Sequence, residues 1–234
     1  MRRALALLVA LASGCAGAGP GTDAGAVASG SANAGAVANA DPDAGAVADA
    51  GRRAPPSDPS ASYAEPGPFA VDTIDLSLED PARGRMIPVR LRVPRPCEAS
   101  ARRPLVLFSH GLGGSRAGGA AWGVHWAGHG FPVAHLQHPG SDESLWRGRG
   151  FGLESLRAGM TAAQYGARLD DVRVAADRLA GLAATRPGLG CVDASRLGMA
   201  GHSFGAATTL AVAGQWLPAT GGRGPGPWAR EPRV

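Results

Sequence analysis

Lysine is absent from this sequence, so all 23 of its basic residues are arginines, and aromatic side chains make up only 5% of it. A nucleic-acid binder concentrates basic residues on one helix or loop with aromatics between them. Here the arginines are scattered and many sit near Asp or Glu, so the net charge of +4 does not point to that class. Bulky side chains are almost missing between Gly17 and Ser62, where Asp23-Ala-Gly-Ala-Val-Ala28 recurs as Asn33 to Ala38 and again as Asp43 to Ala48. One small Val per repeat cannot bury enough apolar surface to offset chain entropy, which excludes a solenoid or a packed helix and leaves a tether. No apolar run at the N-terminus is long enough to span a bilayer: Arg2 and Arg3 precede only Ala4 to Ala12.

That short run, followed by small residues up to Cys15, has the layout of an export signal. Leu11-Ala-Ser-Gly-Cys15 resembles a bacterial lipoprotein processing box, with Cys15 as the lipidated mature N-terminus. An ordinary cleaved signal with an incidental Cys is the alternative. The expected organisation is a signal over 1–14, a disordered tether over 15–62 holding the rest away from a membrane surface, and a folded unit over 63–234. The expected location is the cell envelope, lipid-anchored, or else secreted.

From Tyr63 the texture changes. Val71 to Leu78 and Met86 to Val93 alternate as strands around a turn at Pro81 to Gly84, predicting an antiparallel hairpin. Leu105 to Phe108 is a continuous apolar run suited to a buried parallel strand, Ala120 to Gly128 predicts a helix, and Phe131 to Leu136 a further strand. Gln137 to Gly159 is irregular and expected to form a loop. Tyr165, Leu169, Val172, Ala176, Leu179 and Leu182 recur at helical spacing, with Asp170, Asp171, Arg173, Asp177 and Arg178 expected on a solvated face. Arg196 to Ala200 predicts a strand and Phe204 to Trp216 a helix. Strands alternating with helices imply an α/β fold with a mostly parallel sheet covered on both faces.

Between those last two elements lies Gly201-His202-Ser203-Phe204-Gly205. A Gly-x-Ser-x-Gly match is weak in so glycine-rich a chain, but its position between a strand and a helix is that of a nucleophile elbow. There both glycines avoid clashes, and the helix N-terminus favours negative charge near Ser203 and the Phe204 amide. His110-Gly111-Leu112-Gly113-Gly114 leaves the earlier strand where a second oxyanion donor would stand, making the Leu112 and Phe204 amides the expected pair. His125 and His129 have a zinc-compatible spacing, but Trp126 replaces the Glu of a zincin helix and no third ligand is evident, so no metal and no cofactor are expected. His135 and His138 are expected to order the loop around the pocket, and His202 to pack rather than transfer protons.

From about Val71 to Gln215 the chain resembles the bacterial platelet-activating-factor acetylhydrolase and dienelactone-hydrolase-like families of the α/β-hydrolase fold. The residues that carry the resemblance are Arg83-Gly-Arg-Met-Ile-Pro-Val89, Leu107-Phe-Ser-His-Gly-Leu-Gly-Gly-Ser115, His129-Gly-Phe-Pro-Val-Ala-His-Leu-Gln-His-Pro-Gly-Ser-Asp142 and Gly198-Met-Ala-Gly-His-Ser-Phe-Gly-Ala206. The resemblance implies catalytic Ser203, oxyanion amides at Leu112 and Phe204, and a small-molecule ester substrate such as a short-acyl lipid or a lactone. True dienelactone hydrolases carry Cys at the nucleophile position, so Ser203 favours the esterase branch. It also implies that the strands following Cys97 and Cys191 are parallel neighbours. With Cys15 lipidated these two remain as a pair, expected as a disulfide in an exported protein, with two buried thiols as the alternative.

In α/β hydrolases the order along the chain is nucleophile, acid, His. Every His here precedes Ser203 and the only later carboxylate is Glu231, after a Gly- and Pro-rich stretch with no element to position it, so the triad acid and base are expected beyond Val234 and these 234 residues alone are expected to be inactive or nearly so. Pro232 to Val234 would then begin the next strand, and the sheet edge beside the elbow strand would be uncovered. A degenerate homologue that uses His135 as an unusual base is the alternative.

Overall fold

A computed structural model of the chain describes residues 8–11, 65–148, 150, 152–215 and 231–234, the first four in their backbone only. Cys15, the tether over 15–62 and the rest of the expected export signal lie outside the described residues.

The strands are β1 (Leu8–Leu11), β2 (Ala70–Asp80), β3 (Arg85–Arg95), β4 (Arg103–Ser109), β5 (Val133–Leu136) and β6 (Val192–His202). The helices are α1 (Ala120–Gly128), α2 (Leu153–Gly159), α3 (Ala162–Thr185) and α4 (Phe204–Val212). The sheet order is β1-β6-β4-β5-β3-β2. β2 and β3 form the expected antiparallel hairpin, with Val71 opposite Pro94 and Leu78 opposite Ile87. β4 pairs parallel with β5 on one side and with β6 on the other.

Alternation along β4 places its side chains on two faces. Leu105 and Leu107 join Leu169, Val172, Ala176 and Leu179 of α3 and Ala211 and Val212 of α4 in the larger core. Phe108 packs with Val133, Ala200 and the α1 tryptophans Trp122 and Trp126 on the opposite face. Helices therefore cover both faces, as a sheet with buried parallel strands requires.

Four boundaries depart from expectation. The stretch from Gln137 to Gly159 is not wholly a loop: it holds a 3-10 turn at Glu143–Leu145, where Asp142 caps Ser144, and helix α2. β6 runs longer than the apolar run of Arg196 to Ala200, because its first residues pair with Arg103 and Pro104 of β4. α4 stops at Val212, two residues before Gly214, whose φ of 94° is a helix-ending conformation. The β6 edge, expected to be uncovered, is paired in parallel with β1 from Met199 to His202, by residues that fall within the expected export signal.

The disulfide between Cys97 and Cys191 is present, and it ties together the loops that lead into β4 and β6. Both cysteines stand on the same side of neighbouring parallel strands, with the Arg103 amide donating to the Cys191 carbonyl at 2.7 Å.

Candidate active site

Ser203 sits between β6 and α4 with φ 54° and ψ −116°, the only non-glycine residue at positive φ among the described residues. Such a conformation costs of order 1–3 kcal/mol and persists only where the surroundings impose it. They do so through the flanking glycines. A Cβ on Gly201 would stand 2.3 Å from the Gly205 carbonyl oxygen, and one on Gly205 would stand 1.9 Å from the Ser109 carbonyl oxygen. The turn thus packs backbone to backbone against itself and against the end of β4, and Ser203 is left exposed at its tip.

Ser203 opens onto a cleft of about 960 Å³. Leu112 and Phe204 line it, as do Trp122, Leu156, Met160 and His202. The two amides expected to hold an oxyanion therefore belong to residues of one cleft, and neither donates a hydrogen bond among the described residues. Phe204 opens α4, so its N–H is one of the donors a helix leaves without an internal partner. The two loops touch: a Cβ on Gly111 would lie 3.4 Å from Ser203 Cβ and 3.0 Å from His202 Nδ1.

Beneath the cleft lies a polar layer. Arg168, Ser109, His135, His138, Ser141 and Asp171 are all 0% exposed. His138 Nδ1 meets Asp171 Oδ2 at 3.0 Å, and its Nε2 meets Ser109 Oγ at 2.9 Å. With Nδ1–H donating to the carboxylate, Nε2 accepts from the serine hydroxyl. Asp171 also accepts from Arg83 at 2.8 Å and from Arg85 at 2.9 Å. The expectation of a solvated Asp171 is thereby corrected: the residue lies on the buried side of α3, where arginines of the β2–β3 hairpin reach it. Asp170, its neighbour, does stay on the exposed side, paired with Arg173 at 3.2 Å.

Ser109, His138 and Asp171 stand in the order of a catalytic triad, yet complete burial denies Ser109 any substrate. Burial pushes His138 down to about 4, with Asp171 opposing. Asp171 is held below the usual carboxylate range by His138 and Arg85 against the effect of its own burial. His110 accepts the His138 amide on Nε2 at 3.0 Å and, with its proton on Nδ1, donates to the Gly111 carbonyl at 2.6 Å. Burial pushes it down to about 2, so it stays neutral.

No hydrogen bond reaches Ser203 Oγ from a His or carboxylate among the described residues. His135, the alternative base, donates from Nδ1–H to the Gly118 carbonyl at 2.9 Å beneath α1, out of the cleft. Glu231 is positioned after all, contrary to expectation: its amide donates to the Val212 carbonyl and its carboxylate pairs with Arg233 at 2.6 Å. That commits it to Arg233 rather than to an imidazole. Pro232 and Arg233 form a turn rather than the start of the expected next strand, and the Arg233 carbonyl accepts the Leu197 amide at 2.9 Å. Among the described residues no group of three His, Cys, Asp or Glu could hold a metal, and no helix is long and apolar enough to cross a membrane. The sequence reading missed Ser109, Ser141 and Arg168: Arg168 is a polar side chain at a core spacing of α3 and Ser109 ends an apolar strand, whereas Ser141 lies in the stretch expected as a loop and carries no local signal.

A comparison with curated proteins gave no match. Among solved structures, a ferulic acid esterase from Streptomyces cinnamoneus aligns with 27% identity over 61% of this chain, with a TM-score of 0.41. The chain spans 54% of that protein's length. Residues 88–146, from β3 through the His110–Gly114 turn to Trp146, match the family model of platelet-activating factor acetylhydrolase, isoform II. By its strand order and the helices on both faces of its sheet the chain is an α/β protein, and across residues 88–146 it is similar to platelet-activating factor acetylhydrolase, isoform II.

Proposed function

We propose that the chain is a serine hydrolase that cleaves carboxylic esters through an acyl-enzyme. The observation that carries this reading is the strained Ser203 at the mouth of a cleft shared with Leu112 and Phe204. Ser203 Oγ attacks the ester carbonyl, the Leu112 and Phe204 amides stabilise the oxyanion, the bond from the carbonyl carbon to the alkoxy oxygen breaks with the seryl proton ending on the departing alcohol, and water then cleaves the acyl-serine to the acid and restores the Ser203 hydroxyl. Trp122, Leu156 and Met160 give the cleft an apolar wall suited to an acyl chain or lactone ring. The matched acetylhydrolase pattern supports an ester substrate. We further propose export and an N-terminal lipid anchor at Cys15, a reading that rests on the processing box alone.

One observation favours a second reading. Ser203 Oγ has no His or carboxylate partner among the described residues, as a surface lipoprotein that keeps the fold for binding would show. Hydrolysis of nitrophenyl esters of graded acyl length by the full-length gene product separates the two. Turnover that disappears in Ser203→Ala supports the esterase, and turnover unchanged in that variant sinks it.

A further inference from the structure

We propose that Arg168 is a positioning residue that holds the Leu112 and Phe204 amides in a single oxyanion-binding arrangement. The inference rests on the esterase reading and names the part that organises its site.

Arg168 lies on α3, 0% exposed, with every nitrogen of its fork engaged. Nε donates to Ser141 Oγ at 2.8 Å. Nη1 donates to the His110 carbonyl at 2.7 Å and to Ser109 Oγ at 3.3 Å. Nη2 reaches the Gly111 carbonyl at 3.4 Å and the Ser141 carbonyl at 3.3 Å. The Gly111 carbonyl and the Leu112 N–H belong to one planar trans peptide and point in opposite directions. Drawing the Gly111 oxygen inward, where His110 Nδ1 and the Gly114 amide also donate to it, turns the Leu112 N–H outward to the cleft. The Ser141 carbonyl that Arg168 holds also accepts the Gly113 amide at 2.9 Å, which fixes the far side of the same turn.

The other face of the guanidinium serves the second donor. Its Cζ lies 4.3 Å from the centroid of the Phe204 ring, and Tyr165, one turn earlier on α3, stacks on the same ring at 5.7 Å. Tyr165 also donates its hydroxyl to the Ala207 carbonyl at 2.9 Å. One arginine thus touches the peptide next to one donor and the side chain of the residue that supplies the other. A lysine has the charge but neither the fork nor the flat face.

Arg168→Lys and Arg168→Met test this in two measurements. The first is the reaction of Ser203 in the full-length gene product with a fluorophosphonate, resolved into a maximal rate and a half-saturating concentration. Loss of one oriented oxyanion donor predicts a maximal rate lower by about 10²-fold or more with half-saturation nearly unchanged. The second is the amide NMR spectrum, in which the Leu112 and Phe204 signals are expected to shift while those of the β2–β3 hairpin stay in place. If Arg168→Met does not fold, Arg168→Lys decides. A wild-type chain that does not react at Ser203 counts against the esterase reading alone, and the amide signals then decide the role of Arg168. Unshifted Leu112 and Phe204 signals, or a maximal rate within about twofold of wild type, would overturn it.

Discussion

His138 Nδ1 lies 3.0 Å from Asp171 Oδ2 with both side chains fully buried, and this pair couples the β2–β3 hairpin to the floor of the cleft. Arg83 and Arg85 approach Asp171 from the hairpin, while Ser109 and Arg168 continue the chain of hydrogen bonds toward the His110–Gly114 turn. Removing one member of a buried charged set leaves the others uncompensated and costs about 3–5 kcal/mol. Asp171→Asn is expected to lower stability by that order, whereas Asp170→Asn, on the exposed side, changes it by less than about 1 kcal/mol. Urea unfolding of the two variants checks this, and equal effects would refute the distinction.

The same burial makes the fold acid-sensitive. His138 is ordinarily at 6.5 and is pushed down to about 4, so the unfolded chain takes up a proton before the native protein does. Its contribution is fully present above about 6.5, shrinks as pH falls, and is lost by about 4, an effect on the order of 3 kcal/mol. His110, pushed down to about 2, adds loss of the same sign. Asp171, held low, adds more below its ordinary value of 3.8. The urea midpoint should therefore fall steadily from pH 7 to pH 4, and a flat profile across that window would contradict the assignment.

Why the buried layer escaped the sequence while the elbow did not is a matter of range. The elbow is a local object: two glycines, a strand before and a helix after, all within a dozen or so residues. The hairpin and the β4 strand were legible for the same reason, from alternation and a continuous apolar run. Asp171 is different, because helical spacing set it beside Asp170 on a polar face and nothing local tells the two apart. Its partners Arg83, Arg85 and His138 are brought to it only by the fold. Arg168 is hidden in the same way, an arginine at a core position whose acceptors are the carbonyls of a turn some 58 residues earlier. Cys97 and Cys191 became readable only once the family resemblance made their strands neighbours.

The disulfide closes a sequence separation of 94 residues, worth about 4 kcal/mol in the chain-entropy model. Reduction, or Cys97→Ala with Cys191→Ala, is expected to lower the melting temperature by about 10 °C. Scanning calorimetry with and without reductant measures it. No change on reduction would show that the bond contributes little to the folded state.

Glycine substitutions separate necessity from frequency in this glycine-rich chain. A Cβ at Gly205 would stand 1.9 Å from the Ser109 carbonyl oxygen, whereas one at Gly181 on α3 meets nothing within 4 Å. Gly205→Ala is expected to destabilise by about 3 kcal/mol or more through a backbone clash. Gly181→Ala should stabilise by about 0.5–1 kcal/mol by removing helix-interior freedom. Chemical denaturation of both proteins decides the matter, and a tolerated Gly205→Ala would mean that the elbow can open.

Fluorophosphonate labelling of the full-length gene product, with the modified peptide identified by mass spectrometry, tests the nucleophile most directly. The expected result is a single adduct on Ser203, lost in Ser203→Ala and kept in Ser109→Ala, since Ser109 is sealed beneath the cleft. An adduct on Ser109, or none on Ser203 under conditions that label a known serine esterase, would contradict the assignment of Ser203 as the reacting residue.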